Sequence, residues 1–251
     1  MTREGHAKKR QSLIPAPAWG FADAIIVLGL SVALPALVIL AVIGVGRLGL
    51  YPRAVGQFLV ADGLMPSAIR YILTLAIEIT LLRLILRRYK KHWRDFGIRK
   101  FPWLKSIFTV IGVYVGFALS IVVVFTLVAV LFPSINVNET QETAFEFGRS
   151  NWGLAVSFLA SVVIAPIVEE IQFRGFILPA FEQSFGPFFG ITLSSLTFAV
   201  LHFQTNVVIY TFILGIILSL MYRRLGSIIP GIILHTINNL LAFIAITGII
   251  R

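Results

Sequence analysis

Two adjacent glutamates, Glu169 and Glu170, close the apolar run Trp152–Val168, and Arg174 follows four residues after the second. A carboxylate pair in or against a bilayer costs several kcal/mol or more unless its neighbours stabilise it, and spanning a membrane gives no reason to keep one. Residues four apart share a helix face. Glu170 and Arg174 therefore form an ion pair in its better orientation, acid N-terminal to base. Glu169 is turned about 100° from Glu170 on an ideal helix, so it does not share that pairing equally. The expected division is a structural Glu170 held by Arg174 and a freer, chemical Glu169. Pro166 lies just upstream, where it is expected to bend the helix and loosen backbone carbonyls near the pair.

Two further constellations repeat the four-residue spacing. Phe198 and His202 share one face of an apolar segment, and His235 and Asn239 share one face of the last. The chain has four histidines, and the other two, His6 and His92, lie in basic, aqueous segments. Taken singly, each feature has a plain reading: a Glu–Arg pair as a packing device, a membrane histidine or Asn238 and Asn239 as interhelical hydrogen-bonding groups. Asp23, Glu78 and Arg70 read as span-end residues facing headgroups. Two Glu, two His and an Asn gathered from three segments are harder to explain as independent glue. Together they permit peptide hydrolysis by an activated water. Glu169 with His202 would hold and deprotonate the water, and His235 and Asn239 would donate hydrogen bonds to the oxyanion forming on the scissile carbonyl.

The elements that must position these groups are membrane helices. The 251-residue chain is 58% hydrophobic and only 13% charged, with a mean hydropathy of +0.93. These values fit an all-α polytopic membrane protein, not a soluble domain. Lys8, Lys9 and Arg10 lead into Pro15 and Pro17 without a small-residue cleavage site, so the first apolar segment reads as a retained helix. The net charge of +10 does not point to nucleic acid, because the basic residues flank apolar spans, where they set orientation and meet lipid headgroups. There is no cysteine, which excludes disulfides, thiolate catalysis and cysteine-ligated metals.

An apolar helix of about 20 residues crosses the hydrocarbon core. Seven spans are expected, at roughly 21–46, 66–87, 104–132, 151–173, 187–203, 206–222 and 228–249, or eight if the apolar segment 174–187 dips into the membrane. Three parts follow: a basic tail over 1–20, a three-span scaffold over 21–150 and a catalytic core with an intramembrane cavity over 151–251. The tail (Arg3, Lys8, Lys9, Arg10) and the linker after the second span are strongly basic. That linker carries Arg87, Arg88, Lys90, Lys91, Arg94, Arg99, Lys100 and Lys105 against Asp95. Both are expected to be cytoplasmic, with Arg223 and Arg224. The 133–150 loop, with Glu139, Glu142 and Glu146 against Arg149, fits the outside, and Arg47 and Arg53 oppose the pattern weakly. In this arrangement Glu169 and His235 fall in the cytoplasmic half, and the site opens toward the cytoplasm. His202 then lies some 20 Å deeper by helix rise, unless 174–190 is re-entrant or that span is tilted or broken.

The motifs Glu169-Glu170-x-x-x-Arg174, Phe198-x-x-x-His202 and His235-x-x-x-Asn239, in this order, resemble the CAAX protease and bacteriocin-processing (CPBP, or Abi) family of intramembrane proteases. The likeness covers roughly residues 150–245. It implies a glutamate-dependent endopeptidase with a conical, all-helical membrane fold; the eukaryotic members remove the last three residues of prenylated CAAX proteins. By match, Glu169 is the water-activating base, His202 its partner, and His235 and Asn239 the oxyanion hole. Glu170, Arg174 and Phe198 support the site. The implied partners are a protein or peptide substrate, prenylated in the CAAX case, and the bilayer, with no nucleic acid. The implied location is a multi-pass membrane protein with a cytoplasmic N-terminus, in the plasma membrane of a prokaryotic host. No cofactor is expected. The sequence lacks His-Glu-x-x-His, paired membrane aspartates and Gly-x-Ser-x-Gly, although two His and two Glu are zinc-ligand types. The rival from another class is a non-catalytic membrane protein, an immunity-type binder or proton-coupled transporter, using the same Glu/His cluster.

Overall fold

The computed structural model describes residues 14, 16–101, 103–137 and 147–248. The basic tail residues Arg3, Lys8, Lys9 and Arg10, and the loop acids Glu139, Glu142 and Glu146, lie outside the described residues, as does the side chain of Lys105. Among the described residues all the regular secondary structure is helical, with no strand. The helices are α1 (Phe21–Arg47), α2 (Ala54–Val60), α3 (Leu64–Arg88), α4 (Trp103–Leu131), α5 (Asn151–Phe158), α6 (Ala165–Glu170), α7 (Leu178–Val200), α8 (Thr205–Leu225) and α9 (Ile229–Thr247). Five helical runs are long and apolar enough to cross a membrane: Phe21–Arg47, Ser106–Leu131, Asn151–Val200, Thr205–Leu225 and Ile229–Thr247. The protein is therefore an all-α, multi-pass membrane protein. The helix α3, which carries Arg70, Glu78 and Arg83, falls outside these five. Counting it, and counting the two sides of the break at Gly186, gives the seven expected segments.

The run 151–200 differs from expectation in a way that matters for the site. It does not end at 173, and 174–187 is not re-entrant. Instead α5, α6 and the start of α7 are joined by two π-helical segments, Leu159–Ile164 and Ile171–Ile177. Helical geometry then continues to Gly186, whose φ of 75° and ψ of 170° break the path before Pro187. A left-handed φ of this kind suits glycine, which has no Cβ to clash. The polar cluster Glu169–Arg174 resembles a span end in sequence, yet Arg174 is 1% exposed because its partner is inside with it. Glu182, near the true end, pairs with Arg223 at 2.7 Å and ties this end to the end of α8. Glu169 stands 13 residues before Glu182, about 20 Å along the helix. His202 follows Gly186 by 16 residues, about 24 Å back along α7 and its turn. The longer helix thus places Glu169 and His202 at similar depth, with no re-entrant loop.

An aromatic core holds the frame beneath the site. Trp19, Phe96, Phe173, Phe176, Phe181 and Phe198 cluster with Leu82, Ile85 and Leu86. Phe96, from the basic linker, is fully buried against Gly175, where a Cβ would stand 2.5 Å from its carbonyl oxygen. Trp19 Nε1 donates to Phe176 O at 2.9 Å. The same linker is tied to the start of α9: Ile228 N donates to Gly97 O at 3.0 Å and Ser227 Oγ to Arg99 O at 2.9 Å. The linker, the C-terminal end of α8 and the first turn of α9 therefore gather at one end of the molecule.

Candidate active site

Both π segments are followed by proline, and this has a direct consequence for backbone pairing. In the first, Ala165 N donates to Ala160 O, a five-residue step. The next step would pair Ser161 O with residue 166, but Pro166 has no N–H. A buried carbonyl left without a donor is costly. Asn239 Nδ2, from α9, supplies the missing hydrogen bond at 2.8 Å. Ala160 O takes a second donor, Tyr71 Oη of α3, at 3.0 Å. The loosened carbonyls expected from Pro166 thus become docking points for side chains of α3 and α9.

Between the two π segments, the single α6 turn carries the glutamates. Glu170 is fully buried. Its Oε1 lies 2.8 Å from Arg174 Nη1 and 3.2 Å from His235 Nδ1. The place of a Cβ on Gly231 is 3.0 Å from its Oε2, so the absence of a side chain at Gly231 makes room for the carboxylate. Arg174 Nη2 also donates to Gly215 O at 3.4 Å. Its guanidinium sits 4.5 Å from the centre of the Phe198 ring, which stabilises a desolvated cation. The buried charge is therefore met by a carboxylate, a carbonyl and an aromatic face. Glu169 is different: its side chain is 29% exposed, and Oε2 stands 3.7 Å from His235 Nε2, beyond hydrogen-bonding distance. The division between a clamped Glu170 and a freer Glu169 is what the helical spacing requires.

The two histidines are oriented by their other ring nitrogens. His202 Nδ1 lies 3.0 Å from Phe198 O. A carbonyl only accepts, so Nδ1 carries a proton there and Nε2 keeps the lone pair of the neutral ring. His235 Nδ1 donates to Glu170, so Nε2 donates to an oxyanion only when the ring carries both protons. The Phe198 ring is buried and packs edge-on against both, with centroids 5.1 Å from His202 and 5.8 Å from His235. Phe198 thus acts as the shared wall of Arg174 and the two imidazoles.

Glu169, His202, His235 and Asn239 all line one cavity of about 1070 Å³. Its polar wall also includes Tyr210, Asn206 and Asn238, and its opposite wall is the apolar face of α4 from Ile121 to Val130. No motif in the sequence marks Tyr210, and Asn238 reads there as interhelical packing glue. Tyr210 Oη donates to Asn238 Oδ1, Asn238 Nδ2 donates to Asn239 Oδ1 at 3.3 Å, and Asn239 Nδ2 donates to Ser161 O. This chain fixes both amide orientations and leaves Asn239 one N–H outside it. Only the position of Pro166, five residues after Ser161, hinted at it. Among the described residues no three His, Asp or Glu side chains converge as a metal-holding group.

Glu78 is a second departure from expectation. It is not at a span end: Tyr71 meets Ala160 on one side of it, and Leu82 and Ile85 join the core with Phe173 and Phe176 on the other. It therefore comes level with Glu169, which it faces closely enough for the two carboxylates to interact electrostatically. Among the described residues no ion pair or hydrogen bond holds it. An unpaired carboxylate in an apolar helix destabilises, so Glu78→Leu is expected to raise stability by about 1–3 kcal/mol. Thermal unfolding in detergent checks this, and a lowered midpoint would show that Glu78 has a stabilising partner.

Residues 151–241 match the family model described as type II CAAX prenyl endopeptidase Rce1-like. No curated protein and no solved structure matches the chain. The matched stretch begins at α5, ends within α9 and contains all three motifs. The Rce1-like match over residues 151–241 agrees with the resemblance to the CAAX protease and bacteriocin-processing family carried by the three motifs.

Proposed function

We propose that the protein is an intramembrane endopeptidase that hydrolyses a peptide bond with a water activated by Glu169. The observation that carries this reading is the unequal pair: Glu170 is spent on Arg174 and His235, while Glu169 meets the cavity with no hydrogen bond to satisfy it. In this mechanism Glu169 accepts the proton of a water held with His202, whose Nε2 is the free nitrogen of its ring. The water oxygen attacks the scissile carbonyl, and the resulting oxyanion is met by Asn239 Nδ2–H and by His235 in its doubly protonated form. Glu169 then returns the proton to the leaving amine. Glu170, Arg174 and Phe198 hold the imidazoles in place and touch no reacting atom. Residues 151–251 form the catalytic core in this reading. The scaffold of 21–150 closes the cavity with α4 and brings Tyr71 to its wall.

The family description names the tail of a prenylated CAAX protein as the substrate class, and removal of its last three residues is the specific reaction it suggests. The test is hydrolysis of internally quenched peptides by the purified, detergent-solubilised protein. Peptides with and without a farnesylated CAAX cysteine are compared, in the presence and absence of o-phenanthroline. Cleavage that survives the chelator and disappears in Glu169→Gln is the expected result. Loss of all cleavage in chelator would replace the glutamate–water mechanism with a zinc one. Absence of cleavage on every peptide would favour the rival reading, a non-catalytic binder.

A further inference from the structure

A second pocket, of about 90 Å³, shares no residue with the large cavity and lies at the linker end of the molecule. Its walls come from the segment entering α1 (Trp19), the basic linker (Lys91, Asp95 and Arg99), the start of α7 (Pro179) and the end of α8 (Tyr222). The volume is that of a few waters or one phosphate group.

The two cations and the hydroxyl in this lining are each held by a different anchor. Helix α3 ends in a left-handed residue, Lys90 at φ 53°, and Lys91 N donates back to Leu86 O at 2.8 Å. This is the Schellman closure, and it fixes where Lys91 leaves the helix. Arg99 is anchored through its carbonyl, which accepts from Ser227 Oγ at 2.9 Å. Tyr222 is 3% exposed. The place of a Cβ on Gly97 is 2.6 Å from its Oη, so the hydroxyl meets the linker midway between Asp95 and Arg99.

The polar groups of the lining are not matched to one another. Among the described residues neither Lys91 nor Arg99 has an ion-pair partner, and the buried Tyr222 hydroxyl has no hydrogen-bond partner. Asp95, the one acid in the lining, caps the short helical turn Trp93–Phe96 by accepting from His92 N at 2.8 Å. The carboxylates nearby are taken, Asp23 by Tyr89 Oη at 2.6 Å and Glu182 by Arg223 at 2.7 Å. A solvated basic surface accounts for the exposed Lys91, but it gives no reason to bury an unpaired hydroxyl near a second cation. A phosphate does: its oxygens accept a bidentate pair from the guanidinium, a bond from the ammonium and a bond from the hydroxyl. The level of the pocket fits as well. Trp93 and Trp103 flank Arg99 in the chain and both are exposed, as tryptophans at a membrane–water interface are.

We propose that this pocket binds one phosphate group at the membrane surface, that of a lipid headgroup or free phosphate, through Arg99, Lys91 and the Tyr222 hydroxyl. A phosphate held there ties the basic linker to the ends of α7 and α8, and the site is independent of the hydrolytic reading. The test uses the purified full chain in neutral detergent at fixed ionic strength. Phosphatidylglycerol or inorganic phosphate is titrated in, and binding is read by native mass spectrometry and by the rise in thermal midpoint. Arg99→Gln and Lys91→Gln are each expected to weaken binding by about tenfold or more, and Tyr222→Phe by about fivefold. Lys100→Gln removes an exposed base of the same linker that does not line the pocket; its binding should stay within about twofold of wild type. Binding of phosphatidylglycerol that millimolar inorganic phosphate neither displaces nor reproduces assigns the site to a lipid headgroup. Displacement, with the same rise in midpoint from phosphate alone, assigns it to free phosphate. The proposal is overturned if neither probe binds wild type, or if Lys100→Gln loses as much as Arg99→Gln, which would show only general attraction to a basic surface.

Discussion

Replacing Glu169 by Gln is expected to lower kcat by roughly 10³-fold or more while leaving the protein folded. General-base catalysis contributes about 10²–10⁴ in rate, and an amide oxygen in the same place accepts a hydrogen bond from water but does not take its proton. The fold has little reason to notice. Glu169 is the partly exposed member of the pair, its contact to His235 is 3.7 Å, and its carboxyl neighbour Glu78 offers it no favourable interaction. Stability should therefore stay within about 1 kcal/mol of wild type. Single-turnover hydrolysis and thermal unfolding on the same preparation check both halves. A Glu169→Gln protein that turns over at the wild-type rate would remove Glu169 from the chemistry, and among the described residues no other carboxylate lines the cavity to replace it.

How far the sequence carried this reading depended on the range of each interaction. The Glu170–Arg174 pair and the freedom of Glu169 follow from helix geometry over four residues, and the structure places them as that geometry requires. Pro166 signalled free carbonyls nearby, but that Asn239 would satisfy Ser161 O depends on the register of α9 against α5 and α6, which no local pattern encodes. Phe198 could be placed on the face of His202, whereas its contacts with Arg174 and His235 are tertiary. The misplaced end of the Glu169 span had a physical cause. Three charged residues in six look like an interface, and only their mutual compensation, invisible in hydropathy, lets the helix continue through them. Glu78 was misread for the converse reason: a carboxylate in an apolar helix suggests a headgroup contact until α3 is aligned with Tyr71 at one end and Leu82 at the other. Tyr210 carried no signal at all, since a tyrosine in an apolar helix is ordinary.

Arg174 should dominate stability as Glu169 dominates rate. Arg174→Met is expected to destabilise the protein by about 3–5 kcal/mol, the usual cost of removing one partner of a buried ion pair. The methionine fills much of the arginine stem's space under the Phe198 ring, so the loss reports charge more than volume. What remains is a fully buried carboxylate with His235 Nδ1 at 3.2 Å as its other contact. Its second oxygen already has no hydrogen-bond partner. Adding Glu170→Gln to Arg174→Met should recover most of the loss, because it removes the stranded charge while keeping an oxygen to accept from His235. Comparing thermal midpoints of the two single variants, the double variant and wild type separates the cases. Additive losses would mean that the two residues act independently and that the 2.8 Å contact is incidental. Recovery in the double variant would show that the pair is kept for the placement of His235 and not for stability, since a neutral pair would hold the fold as well.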